Sequence, residues 1–215
     1  MSRTYDTRQP EERAAGIAAA IDAVRRGQLI VMPTDTVYGI GADAFDSRAV
    51  TDLLAAKGRG RDMPVPVLVG SWRTLDGLVM SVNRATRDLI EAFWPGGLTL
   101  VVEHAPSLAW DLGDAYGTVA VRMPLHPVAL EILTETGPMA VSSANSTGMP
   151  PAATAADAEA QLGHQVDVYL EAGAGGAQVP STIVDVTGKV PRVLREGAVD
   201  LGELRKVVAD VEGPA

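Results

Sequence analysis

Leu29-Ile30-Val31-Met32-Pro33-Thr34-Asp35-Thr36-Val37-Tyr38-Gly39-Ile40-Gly41 is the stretch whose reading decides the fold. Its first four residues form an apolar run that reads as a buried strand. The next nine set out three hydroxyls, one carboxylate and two glycines. Burying so many polar groups costs free energy unless each finds a partner. A loop of small side chains at a strand end is where an α/β protein admits a ligand. The competing reading is a polar turn opened by Pro33, and the loop alone does not decide between them.

Working outward, residues 11–26 carry Ile17, Ala20, Ile21 and Val24 at helical spacing, with Gly27 as the expected cap. The strand at 28–32 follows. Asp46 and Ser47 predict the start of a helix that ends near Lys57. Val65 to Val69 reads as a strand whose Pro66 suggests an edge position or a strand start. Helices are predicted at 71–77, 84–93, 126–136 and 155–162, and strands at 98–103, 118–122, 166–170, 181–186 and 191–194. Met139-Ala140-Val141 is a short apolar run, and 201–208 a last amphipathic helix. The expected fold class is α/β, a single domain with a twisted mixed β-sheet flanked by helices. The boundaries read as a tail over 1–11, one domain over 12–200, and a C-terminal helix and tail over 201–215. The turn at Gly173-Ala174-Gly175-Gly176 reads as flexible, with too little chain after it for a second domain.

The composition narrows the function. Apolar residues make up 47% of the 215 and aromatics only 4%, so Ala, Val and Leu must pack the core. The net charge of −9 argues against a broad nucleic-acid surface, which needs clustered Lys and Arg. It leaves room for a local basic pocket. Without cysteine there is no disulfide, thiolate nucleophile or Cys-based zinc site. His104, His126 and His164 have no metal-binding spacing, and no metal site is expected. No apolar run approaches the ~20 residues of a membrane span, and the polar start lacks a secretory h-region. A cytoplasmic location is the expectation.

Four further segments carry candidate chemistry. Lys57-Gly58-Arg59-Gly60-Arg61 places three cations within five residues where a helix ends. A helix C-terminus favours cations by roughly 0.3–1 kcal/mol each, but the cluster with its glycines favours anion binding. Ser142-Ser143-Ala144-Asn145 follows an apolar strand and could serve a ligand or an Asx turn. Arg122 and Arg195 end apolar strands, so each needs a partner. Asp35, Glu196 or a ligand phosphate could supply one, and the ligand is favoured. Ser181 and Thr182 add two hydroxyls. There is no phosphate-binding Gly-x-x-x-x-Gly-Lys-Ser/Thr loop, no Gly-x-Gly-x-x-Gly after a strand and no Gly-x-Ser-x-Gly elbow.

Together and in this order, these segments resemble the YrdC-like family of L-threonylcarbamoyladenylate synthases, from about residue 12 to about 198. The resemblance rests on Pro33 to Gly41, Lys57-Gly58-Arg59, Pro95-Gly96-Gly97-Leu98-Thr99, Val121-Arg122-Met123-Pro124, Ser143-Ala144-Asn145, Pro180 to Asp185 and Arg195-Glu196-Gly197. It implies an ATP-dependent catalytic domain of the short, single-domain form. The reaction would join L-threonine and bicarbonate or CO2 to AMP, releasing pyrophosphate, and the product would pass to tRNA threonylcarbamoyltransferase proteins. By motif position, Lys57 and Arg59 would be catalytic. Lys57, Arg59, Arg61, Ser143, Asn145 and Arg195 would hold the nucleotide. Thr34, Thr36, Tyr38, Arg122, Ser181 and Thr182 would line the threonine end. Mg2+ would accompany ATP. Gly60 and Met63 depart from the family pattern, which has Pro and Lys there. Direct tRNA binding is expected to be weak or absent. An RNA-binding or ribosome-assembly role for the concave surface is the alternative, and carbamoyl transfer in hydrogenase maturation ranks below it because its Cys-rich modules are missing.

Overall fold

In the computed structural model of the chain, residues 2–174 and 178–214 are described. Gly175 and Gly176 of the expected flexible turn lie outside them. The first helix, α1 (Pro10–Arg25), starts on a proline already suited to the first turn, with Glu11 and Glu12 beside it and Arg25 in the last turn. Gly27 follows the end at φ +71°, where a side chain would be strained. In α2 (Ser47–Lys57), the Asp46 carboxylate accepts from the Arg48 and Ala49 N–H groups, and left-handed Gly58 stops the helix. Lys57 and Arg59 thus flank a defined helix end.

Ten strands among the described residues form one mixed sheet. They are β1 (Arg3–Asp6), β2 (Ile30–Met32), β3 (Gly39–Asp43), β4 (Val67–Leu68), β5 (Leu98–Glu103), β6 (Thr118–Arg122), β7 (Met139–Ser143), β8 (Val168–Glu171), β9 (Thr182–Asp185) and β10 (Arg192–Arg195). Their spatial order is β1-β8-β2-β3-β7-β4-β6-β5-β9-β10. The remaining helices are α3 (Leu75–Leu78), α4 (Arg84–Phe93), α5 (Pro127–Thr136), α6 (Ala155–Leu162) and α7 (Leu201–Val207).

Two expectations change, and one alternative is decided. The tail expected over 1–11 contains β1, which pairs in parallel with β8, and α1 begins at residue 10. Gly39 to Asp43 is a strand within the sheet, where only loop was read. Of the two readings of Pro66, the strand start holds: β4 is interior, between β7 and β6. Pro66 lies just before it, so its missing N–H breaks no ladder, while its carbonyl accepts from the Val141 N–H at 2.8 Å.

The sheet has two differently covered faces. On one, α1 and α5 pack Ile17, Val24, Val128 and Ile132 against Ile30, Met32, Val141 and Leu170. On the other, α2, α4, α6 and α7 bury Leu53, Leu89, Leu162 and Leu204 against Ile40, Leu100, Val121 and Val184. Strand alternation then sends Thr99, Val101, Ala120, Arg122 and Ile183 to the first face. These residues line a cleft of about 540 Å³. Leu68 and Val141 belong both to the α1 and α5 packing and to the cleft wall. The cleft is therefore the part of that face beyond the helices. No helix among the described residues is long and apolar enough to cross a membrane.

Candidate functional site

Three arginines from separate parts of the chain face this cleft: Arg59 after α2, Arg122 at the end of β6 and Arg195 at the end of β10. Each is fixed differently. Arg122 donates from Nε to Gly96 O at 2.8 Å, from Nη1 to Thr36 Oγ1 at 2.8 Å and from Nη2 to Asp35 Oδ1 at 2.5 Å. The sequence favoured a ligand as the partner of Arg122, whereas in the fold Asp35 is its ion pair, and Glu196 makes no ion pair among the described residues. Arg59 donates to Ser142 Oγ at 3.1 Å and Pro64 O at 3.4 Å, while its Nε is buried without a partner. Arg195 donates to Ser181 O at 2.7 Å from Nη2 and to Ser181 Oγ at 3.1 Å. Gly197 makes that placement possible. A Cβ there would lie 2.2 Å from Pro180 O, so only glycine lets the turn after β10 close on Pro180 and Ser181.

The hydroxyls are ordered by these cations. Thr34 donates to Val37 O at 2.6 Å and accepts from the Thr36 N–H at 3.2 Å. Thr36 Oγ1 accepts from Arg122, so its own proton is left for Thr34 Oγ1, 3.2 Å away, or for an occupant of the cleft. Ser181 Oγ lies 2.7 Å from Thr99 Oγ1. Pro64, Val101, Ile183 and Leu194 give an apolar floor beside these donors.

The electrostatics are those of crowded cations. Burial holds the Arg59 guanidinium below its ordinary pKa. It does the same to Arg122, against the opposing pull of Asp35. Arg195 is lowered by burial first and then by Arg122 and Arg59. Burial, with Arg59 adding to it, pushes Lys57 down to about 8. In a chain of net charge −9, this is a local cationic basin. An anion entering it would relieve the repulsion.

Of the residues expected from sequence, Thr34, Thr36, Tyr38, Arg59, Arg122, Ser143, Ser181 and Arg195 line the cleft. Four do not. Lys57 is 4% exposed and donates from Nζ to Ser143 O and Asn145 O, both at 2.5 Å. It ties the end of α2 to the loop after β7. Asn145 turns its amide nitrogen to Ser146 O and Met149 O, leaving a buried Oδ1 without a partner. Thr182 donates to Val199 O at 2.6 Å. Arg61 is turned away, held by Asp111 at 2.7 Å and near Asp114 at 3.5 Å. Tyr38 lines the cleft, but its side chain packs in the core on the opposite face, with its hydroxyl donating to Gly173 O and accepting from the Ala172 N–H. Sequence reasoning gave no individual role to Ser142 or Thr99. The signal for Thr99 was a lone hydroxyl inside the apolar run Leu98-Thr99-Leu100-Val101. Among the described residues no group of three or more His, Cys, Asp or Glu could hold a metal ion.

Comparison with known proteins gives concordant matches. The profile of the Sua5, YciO and YrdC family, described as "Telomere recombination", matches residues 22–197. A provisionally named threonylcarbamoyl-AMP synthase of Mycobacterium tuberculosis is 62% identical over 208 residues, 97% of this chain and 96% of that protein. The solved Sua5 of Pyrococcus abyssi complexed with L-threonine superposes with a TM-score of 0.91 at 32% identity over 99% of this chain. The chain spans 62% of that archaeal protein. YciO of Escherichia coli superposes with a TM-score of 0.84 at 25% identity, over 95% of this chain and all of YciO.

Proposed function

The chain belongs to the Sua5, YciO and YrdC family, and we propose on that footing that it is a threonylcarbamoyl-AMP synthase. The reaction is L-threonine, bicarbonate and ATP giving threonylcarbamoyl-AMP, pyrophosphate and water, which makes it a nucleotidyl transfer. The observation that carries this reading is the convergence of Arg59, Arg122 and Arg195, each with a depressed pKa, on one cleft lined with hydroxyl donors. A site built to receive two anionic substrates needs such a surface.

Roles follow from position. Arg59 and Arg195, with Ser142 and Ser143 beside them, take the triphosphate. Arg122, Thr36 and Ser181 take the threonine end, with Thr34 orienting Thr36. Lys57 holds the Ser143–Asn145 loop in place. Bicarbonate takes up a proton and yields CO2 and water, threonine's amine adds to the CO2 and releases a proton to form a carbamate, and a carbamate oxygen attacks the α-phosphorus as the bond to pyrophosphate breaks. The protein forms no covalent bond in this scheme. It aligns two anions and neutralises the charge that repels them. Mg2+ would accompany ATP on its phosphates. The product then serves threonylcarbamoylation of tRNA.

Purified protein with ATP, Mg2+, L-threonine and bicarbonate should release pyrophosphate and form threonylcarbamoyl-AMP, detectable by mass spectrometry. Pyrophosphate release that continues unchanged without threonine would refute the assignment.

A further inference from the structure

The three cleft arginines differ in one respect: a carboxylate touches Arg122 but neither of the others. Asp35 Oδ1 lies 2.5 Å from Arg122 Nη2 and also accepts from the Leu125 N–H at 2.8 Å. The pair is buried, with side-chain exposures of 7% for Arg122 and 17% for Asp35. Among the described residues no carboxylate comes within ion-pair distance of Arg59 or Arg195. Asp62 acts on Arg59 only from beyond that distance. The cleft therefore has two arginines without a carboxylate partner, Arg59 and Arg195, and one, Arg122, whose charge Asp35 cancels.

A polyphosphate carries several negative charges, whereas an amino acid at neutral pH carries one of each sign. The first gains most where cations are uncompensated. The second suits a site with no net charge, where Arg122 still offers N–H groups to a carboxylate with no surplus positive charge to repel the ammonium. We propose that Asp35 is a specificity-determining residue. By neutralising Arg122 alone, it confines the polyphosphate to Arg59 and Arg195 and reserves Arg122 for an amino-acid zwitterion. This rests on the synthase reading and goes beyond it in explaining how a polyphosphate and an amino-acid zwitterion are kept apart in one cationic cleft.

Asp35→Asn keeps the side-chain oxygen for the Leu125 N–H and Arg122 but removes the charge. Calorimetric titration of the folded variant should show pyrophosphate binding tighter by about 5-fold or more and L-threonine binding weaker by about 10-fold. The double variant Asp35→Asn with Arg122→Gln restores the net charge of the cleft. It should return pyrophosphate affinity to the wild-type value while threonine binding stays lost. Pyrophosphate affinity that is unchanged or reduced in Asp35→Asn overturns the proposal, as does threonine affinity that is unchanged. If the single variant does not fold, the double variant decides: pyrophosphate kept with threonine lost supports the partition, and both kept or both lost overturns it. Wild-type protein that binds pyrophosphate but no threonine would instead sink the synthase reading, and the pyrophosphate shift would still judge the confinement of charge.

Discussion

Raising the pH from 7 to 9.5 should stabilise this fold through one side chain, Lys57. Its ammonium is 4% exposed, and burial, reinforced by Arg59, pushes it from its usual 10.5 to about 8. Between those values the unfolded chain holds the proton and the folded chain has released it. Stability therefore rises with pH across that window, because the unfolded state binds more protons. At pH 7 the buried charge costs roughly 3 kcal/mol, and by pH 9.5 about 2 kcal/mol of that is recovered. The neutral amine still has the two N–H groups needed for Ser143 O and Asn145 O. Urea unfolding of the wild type and of Lys57→Met at both pH values isolates the effect, since other titrating groups are common to the two. The wild type should gain about 2 kcal/mol over the variant as the pH is raised. Stability curves that stay parallel within about 0.5 kcal/mol would show that burial does not control Lys57, and the reasoning would be wrong.

Arg195→Ala should lower turnover by about 10- to 150-fold, the worth of a charge-assisted hydrogen bond, without lowering the melting temperature, because it also relieves repulsion with Arg59 and Arg122. Arg61→Ala, whose partners are the exposed Asp111 and Asp114, should change turnover by less than about 3-fold; a loss as large as that of Arg195→Ala would put Arg61 back in the site. Gly197→Ala should cost about 1–3 kcal/mol in denaturant unfolding and displace Arg195, since its Cβ meets the Pro180 backbone. Unaltered stability and activity would show that the turn has room to move.

How much of this was legible in sequence differed from element to element, for physical reasons. Helix ends are local signals: Asp46 acts as the N-cap it was read as, and the helix stops where expected, near Lys57, with Gly58 as its cap. Strand β3 was hidden because Gly39 and Gly41 are poor strand formers. They are needed there for a non-local reason: a Cβ on Gly39 would lie 2.7 Å from Val141 Cγ1 on the neighbouring strand. Strand β1 is four polar residues at a sheet edge, with no periodicity to betray it. At the site, Arg59 and Arg61 look equivalent in sequence. What separates them is Asp111, fifty positions on, which captures one and leaves the other to the cleft. For Arg122 the sequence favoured a ligand over Asp35 or Glu196, and that Asp35 pairs with it was likewise a question of distance in space.

The strand order has a consequence for how the chain reaches its working form. Strand β8 lies between β1 and β2, and β9 lies beside β5, so late segments complete both wings of a sheet begun by early ones. The three arginines are spread over residues 59 to 195, and the turn that seats the last of them ends at Gly197. Such distant pairings make folding slow relative to helical proteins of equal stability. As the polypeptide leaves the ribosome, most of it must emerge before any anion-binding surface exists. Nascent chains short of that point should be blind to nucleotide. Once the last strands dock, a bound nucleotide stabilises the finished fold over every earlier form by mass action.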